Sequence, residues 1–299
     1  MSAREILAKI DSLPPMPAVA AKLLQAVSDP DIGAREIATW LERDPGMTAN
    51  LLRLCNSPFY GLRNQVTSVR QAASLLGLTK VAQISLTLLA SRHLAPPQRG
   101  YDLAAGELWK SSVTSALAAE LLAEETRYPS PGTAYTAGLL QDVGKIALAE
   151  FVGEALPRIR GLVEAEGLPW DEAELRVVGL PHTEAGAILL ARWQFPEILV
   201  ESVRTHHDPS RATLDPALAR ISHVADALTM TLGVGLGADG LAYALDESSL
   251  ESLGLSGRER IDSLVEDLAG RVRRADELFA SGAPREAARA HGRPRPGHS

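Results

Sequence analysis

Apolar residues recur along this chain at three- and four-residue steps, interrupted by short polar or proline-bearing gaps, and no stretch shows the period-two alternation of a half-buried strand. The pattern predicts short helices with tight breaks. Ser2 caps a first helix to about Asp11, and Leu13-Pro14-Pro15-Met16-Pro17 ends it. Pro17 suits the first turn of a second helix to about Ser28. A third, from Gly33 to Arg43, carries Ile37, Trp40 and Leu41 on one face. Asp44-Pro45 is a cap and first-turn pair for a fourth, lined by Leu51, Leu52, Leu54 and Cys55 until Asn56-Ser57-Pro58. Helices over Val69–Leu76 and from Thr79 to about Arg92 flank Gly77, and Ala95-Pro96-Pro97 reads as a linker. Further helices are expected over Leu103–Glu125, Tyr135–Phe151, Glu154–Glu166, Trp170–Val178, Thr183–Gln194, Pro196–His207, Asp215–Thr231 and Gly257–Phe279.

The segment YTAGLLQDVGKIALAEF, Tyr135–Phe151, carries one polar interruption on an apolar helix. Leu139, Leu140, Val143, Ile146 and Ala147 form its buried stripe, and the Asp142 side chain falls at the stripe's edge, where a carboxylate is costly unless a cation or several donors meet it. Lys145 and arginines elsewhere are the cations at hand. His182 stands at a helix entry, and His206 and His207 end another helix. On a helix, adjacent side chains diverge by about 100°, so that pair is expected to reach different neighbours or to bond free carbonyls at the helix end. Asp226 lies three residues after His223, within reach of a local hydrogen bond.

Net charge is −7, from 30 Lys and Arg against 37 Asp and Glu, which disfavours a nucleic-acid partner bound through a large basic surface. The single cysteine, Cys55, excludes an internal disulfide and reads as a buried structural thiol in a reducing compartment. No signal peptide or membrane span is visible, so a cytoplasmic location is expected. Phosphate-binding glycine loops and the Gly-x-Ser-x-Gly elbow are absent.

Several stretches in order, LPPMPAVAAKLL, LERDPGMTANLLRLCNSPFYG, LWKSSVTSALAAELLA, AGLLQDVGKI, PHTEAGAILLARWQFP and THHDP, resemble HDOD domain proteins, a divergent, apparently non-catalytic branch of the HD and HD-GYP metal phosphohydrolases. The resemblance covers about Leu13 to Pro209 and continues more weakly to near Phe279. It implies an all-α fold in which an N-terminal helical bundle, residues 1–94, packs on an HD-like helical bundle, residues 99–279, ahead of a disordered tail, residues 280–299. In active relatives, histidines and aspartates hold one or two divalent metals. Here Gln141 replaces the histidine of the His-Asp pair, and Ser111 stands where an earlier ligand histidine is expected. The resemblance thus implies a degenerate cluster of Ser111, Gln141, Asp142, Lys145, His182, His206, His207 and Asp226, with no catalytic residue, metal or cofactor. Any metal would fall to Asp142, His182, His206, His207 and Asp226. The segment Gly233–Gly240 does not match the glycine-tyrosine-proline signature of the cyclic di-GMP phosphodiesterases.

The function implied is a non-catalytic regulatory scaffold of bacterial signal transduction, with a histidine kinase, a response regulator or a cyclic-di-GMP enzyme as partner. With no room for a receiver domain in these residues, its input is expected from a separate molecule. Two alternatives stay open. One is a receptor for a nucleotide second messenger such as cyclic di-GMP in the old cleft, with Lys145 as a phosphate contact. The other is a residual metal-dependent phosphohydrolase.

Overall fold

Side-chain caps and prolines place most helix starts where the sequence puts them. The computed structural model describes residues 3–17, 19–28, 34–240, 243, 245–275 and 279, and the expected tail, residues 280–299, lies outside them. Among the described residues the regular structure is helical, with one isolated bridge between Gln98 and Leu103. The first half holds α1 (Ala3–Ser12), α2 (Val19–Ser28), α3 (Ala34–Leu41), α4 (Pro45–Cys55), α5 (Val69–Leu76) and α6 (Leu78–Leu94). The second holds α7 (Glu107–Glu125), α8 (Pro131–Leu140), α9 (Lys145–Glu166), α10 (Trp170–Val178), α11 (His182–Arg192), α12 (Glu197–Thr205), α13 (Pro216–Thr231), α14 (Glu247–Ser252) and α15 (Arg258–Arg274). Asp44 accepts the Met47 N–H ahead of α4, and Asp215 accepts the Leu218 N–H ahead of α13, each followed by a first-turn proline.

One continuous apolar core joins the two halves. The helix α6 is buried almost all round from Val81 to Ser91 and packs on α2, α4 and α5 on one side and on α7 and α8 on the other. The expected linker is a packed corner: Ala95 and Gln98 are buried, and the Gly106 N–H donates to the Ala95 carbonyl at 2.8 Å. Although α1 opens the chain, it lies against α9 and α11, held by Lys9 to Glu150 at 3.1 Å and by Arg192 to Asp11. Cys55 is fully buried, and burial pushes its thiol up to about 11.

Three elements differ from the sequence pattern. The helix expected over Tyr135–Phe151 breaks at Gln141–Gly144. There the hydrogen bonds shorten to three-residue turns, Val143 N–H to the Leu140 carbonyl and Lys145 N–H to the Asp142 carbonyl, both 3.0 Å. Gly144 presses onto α11 so closely that an added Cβ would overlap the His182 carbonyl. The apolar period continues across the break because both arms face the same core. The next expected helix, Glu154–Glu166, is the second part of α9, which runs through Pro157 without ending. The third difference is α14, too short to show a period, which Asp246 caps by accepting the Ser248 and Ser249 N–H groups.

Glu201 on α12 fastens the entry to α13. Its two carboxylate oxygens accept the Thr213 N–H and Oγ1 and the Leu214 and Asp215 N–H groups at 2.7–3.2 Å. Burial pushes the carboxyl up, but these donors outweigh it and hold it below the ordinary carboxylate range. Glu201→Gln turns an amide donor toward N–H groups and costs about 2–3 kcal/mol near pH 7. A depressed carboxyl contributes stability above its unfolded value of 4.5 that is lost as pH falls through the folded one. In urea unfolding, the gap between wild type and variant therefore closes as the pH is lowered below 4.5 and through the folded-state value; a constant gap would show that the charge plays no part.

Candidate functional site

Helix ends gather the polar residues at one buried point. The tight turn after α8 supplies Gln141 and Asp142, and the first residue of α9 is Lys145. His182 opens α11, His206 and His207 follow the end of α12, Asp226 sits mid-way along α13, and Ser111 and Ser115 come from α7. All eight expected residues converge, each with a buried side chain.

Lys145 is the centre of charge. Its Nζ lies 2.9 Å from Asp142 Oδ1 and donates to Asp239 Oδ2 at 2.6 Å, with all three side chains at most 8% exposed. Burial alone would push the ammonium down; Asp142 and Asp239 together outweigh it and raise it. In the same way, burial raises the Asp142 carboxyl, but Lys145 and His182 bring it below its ordinary value. Among the described residues no lysine or arginine lies within 4 Å of Asp226, whose nearest ring is His207, with Nδ1 3.8 Å from Oδ2. Burial and the Asp142 charge push the Asp226 carboxyl up to about 7, and the Gln141 amide donates to its Oδ1 at 2.7 Å. The same amide reaches Ser115 Oγ at 3.2 Å.

The histidines form the second part. His182 Nδ1 and backbone N–H both meet Glu174 Oε2 at 2.8 Å, and Tyr101 and the Trp170 ring N–H donate to the other oxygen. Burial lowers the His182 ring, but Glu174 outweighs that and raises it. His182 Nε2 lies 3.1 Å from His207 Nε2, a pair in which one nitrogen donates and the other accepts. His206 Nδ1 donates to the Val203 carbonyl at 2.8 Å, and burial takes that ring down to about 3. Its neutral Nε2 is left as a buried lone pair with no partner among the described residues.

The structure corrects two local expectations. His206 and His207 take different partners, and His206 bonds the Val203 carbonyl at the helix end as expected, but they stay side by side: α12 ends at Thr205, both residues lie in the turn beyond it, and their rings are 3.9 Å apart. His223 does not bond Asp226. It donates from Nδ1 to the His206 carbonyl at 2.7 Å and accepts the Asp246 N–H at 2.9 Å.

Sequence reasoning missed Glu174, Tyr101, Trp170 and Ser115, and it missed the cover. The segment after α13 crosses the cluster as a strap, placing Asp239 on Lys145 and stacking Tyr243 on His207 at 3.7 Å. Gly235, at φ +67°, passes so near α7 that a Cβ would overlap Ser111. The Ala238 N–H is anchored on the Tyr101 carbonyl at 2.6 Å. Beneath the strap, Ser111, Asp142, Lys145, Asp226 and Tyr243 enclose a cavity of about 10 Å³, no more than one water molecule. The signal for the strap was the glycine run itself; nothing local marked Asp239.

The donor set was tested against the metals of HD enzymes. Nitrogens of His182, His206 and His207 lie within 4.8 Å of one another. Two of these rings have Nδ1 fixed by an acceptor and Nε2 turned inward, as histidine ligands commonly are. A tetrahedral ion with bonds of about 2.0–2.1 Å needs its nitrogens about 3.4 Å apart, so the group fits one ion after a small contraction. A second ion does not fit. On that side the Gln141 amide aims a donor at Asp226, and Ser111 offers only a hydroxyl beside the strap.

Two outcomes follow. After loading with zinc or manganese and dialysis, the chain retains no more than one ion, lost in a His182→Ala/His206→Ala variant; two retained ions would show that the Gln141 side accepts metal. Gly235→Ala costs about 2–3 kcal/mol in urea unfolding through overlap and backbone strain. Adding Ser111→Gly recovers part of that, and no recovery would place the strap off α7.

The HDOD domain family model matches residues 13–209. An HDOD domain protein of unknown function from Geobacter sulfurreducens has a solved structure that is 28% identical, with a TM-score of 0.75 over 93% of this chain and 97% of that one. A candidate phosphohydrolase from Shewanella amazonensis SB2B is 23% identical, at TM-score 0.70 over 93% of this chain and 98% of that one. A candidate signal transduction protein from Marinobacter aquaeolei VT8 is also 23% identical, at TM-score 0.70 over 93% and 64% of the respective chains. At 23% identity the likeness is one of fold. The chain spans less than half the length of the curated relatives it matches.

Proposed function

The chain belongs to the HDOD domain family, and from that premise we propose that it is a non-catalytic regulatory module of signal transduction that works through protein contacts. The observation that carries this reading is Lys145. An internal ammonium pairs with both Asp142 and Asp239 under a strap that leaves space for about one water. A phosphoester hydrolase needs a polarising cation with an open position and a water beside it. Here the carboxylates are taken by a lysine, and Asp226 is taken by the Gln141 amide. The same contacts weigh against a nucleotide receptor in this cleft, because the Lys145 charge is already matched on two sides.

The cluster then serves as a polar keystone. It fixes the ends of α8, α11 and α12 against α7, α9 and α13, and so holds the surface that partners read. A histidine kinase, a response regulator or a cyclic-di-GMP enzyme, met in the cytoplasm, is the partner class this reading favours. No described helix is long and apolar enough to cross a membrane.

One observation favours a second reading. The three-histidine group is a sound donor set for a single ion, which there would act as a Lewis acid. The test is hydrolysis of bis-(p-nitrophenyl) phosphate and of cyclic dinucleotides with manganese, iron or zinc. Turnover is expected to equal that of Asp142→Ala within error. Turnover abolished by Asp142→Ala would replace the regulatory reading with the enzymatic one.

A further inference from the structure

Charge is unevenly distributed along the chain. Between Asp44 and Asp102 there is no acidic residue, while Arg53, Arg63, Arg70, Lys80, Arg92 and Arg99 bring six positive charges. Against a total of −7, the remainder of the chain therefore carries −13. Lys80 is matched by Glu120 at 2.7 Å, and Arg92 approaches Asp44 at 3.8 Å. Arg53, Arg63 and Arg70 are exposed and have no ion-pair partner among the described residues.

These three arginines sit on one braced frame. Arg53 is in the last turn of α4, Arg63 is in the loop that follows, and Arg70 is in the first turn of α5. Asn56 ties the loop back onto α4. Its amide donates to the Leu52 and Val66 carbonyls, and its oxygen accepts the Val66 N–H, all at 2.7–2.8 Å. Ser68 caps α5, and Gln71 returns a bond to the Thr67 N–H at 3.0 Å. Apolar surface accompanies the charge: Leu75 is 51% exposed, and Phe59, Tyr60 and Leu62 are half-buried, the two rings edge to face at 4.8 Å. Unpaired arginines beside partly exposed aromatic and leucine side chains have the composition of a protein-binding surface.

We propose that the α4–α5 face, through Arg53, Arg63 and Arg70, docks an acidic, partly apolar segment of a partner protein. The proposal rests on the regulatory reading above and locates its contact surface. A compact acidic segment feels chiefly charges within a Debye length of about 8–10 Å, and the chain that builds this face, from Pro45 to Tyr101, contributes no acidic residue. A long polyanion such as RNA, or an anionic membrane, also meets the acidic remainder of the chain and is repelled by it.

The probe is a fluorescein-labelled peptide of Glu, Leu and Ala, followed by anisotropy with the full chain at low and physiological salt. Arg53→Glu/Arg63→Glu/Arg70→Glu is expected to weaken binding about tenfold or more. A charge-matched control on α15, Arg258→Glu/Arg273→Glu/Arg274→Glu, is expected to leave binding within about twofold of wild type. Single-stranded RNA and phosphatidylglycerol vesicles are not expected to compete. The proposal is overturned by no peptide binding, by equal losses in the two variants, or by tighter binding of RNA or vesicles through the same arginines. Failure here with no hydrolysis would move the contact elsewhere on a regulatory module, whereas hydrolysis dependent on Asp142 would remove the regulatory reading whatever the peptide does.

Discussion

A buried ammonium is tolerable only where anions surround it, and Lys145 is held by two. Desolvating a lysine and two aspartates is expensive in free energy, so the arrangement persists only while Asp142 and Asp239 both stay within reach. That requirement reaches far along the chain. Asp142 is in place because the chain breaks out of α8 at Gln141, and the break is possible because residue 144 has no side chain to strike the His182 carbonyl. Asp239 is in place because the strap threads past Ser111 and hangs on the Tyr101 carbonyl. Loss of Lys145 would leave two carboxylates uncompensated in the core, a larger cost than the net value of the pairs.

Glu174 plays the corresponding part for the histidines. One fully buried carboxylate accepts from Tyr101, Trp170 and both the ring and backbone of His182. It orients His182, and through the His182–His207 contact it sets the geometry of the whole imidazole group. The two anchoring systems meet where His182 Nε2 stands 3.6 Å from Asp142 Oδ1. With Lys145 between two aspartates and the Gln141 amide on Asp226, the cluster ties the helices together as a cross-brace.

The legible part of the sequence was the part governed by neighbours. Asp44-Pro45 and Asp215-Pro216 declare helix starts within a few residues, and α4, α5 and α13 follow such capping signals. The polar residues that interrupt apolar stripes, Asp142 and Asp226, did mark the cluster, since an unmatched carboxylate on a buried stripe must have a partner somewhere. What sequence could not show was which partner. Glu174 lies in a run of acidic residues on α10 that reads as a solvated face, and Asp239 lies in a glycine-rich turn. Their importance comes from contacts across 94 residues or through a helix packing angle, and neither leaves a local mark. The break inside Tyr135–Phe151 was hidden for the opposite reason: both of its arms obey the same helical period.

The position of α1 bears on how the chain is assembled. Lys9 meets a residue 141 positions later, and Asp11 meets one 181 positions later. A ribosome adding about 5–20 residues per second takes roughly 10–35 s to travel from α1 to the end of α11. Through that interval Ile6 and Ile10, both buried in the finished fold, have no seat to occupy. Although α1 is made well before α9 and α11, it docks only after them, and during synthesis its apolar face is open to chaperones or to a neighbouring nascent chain.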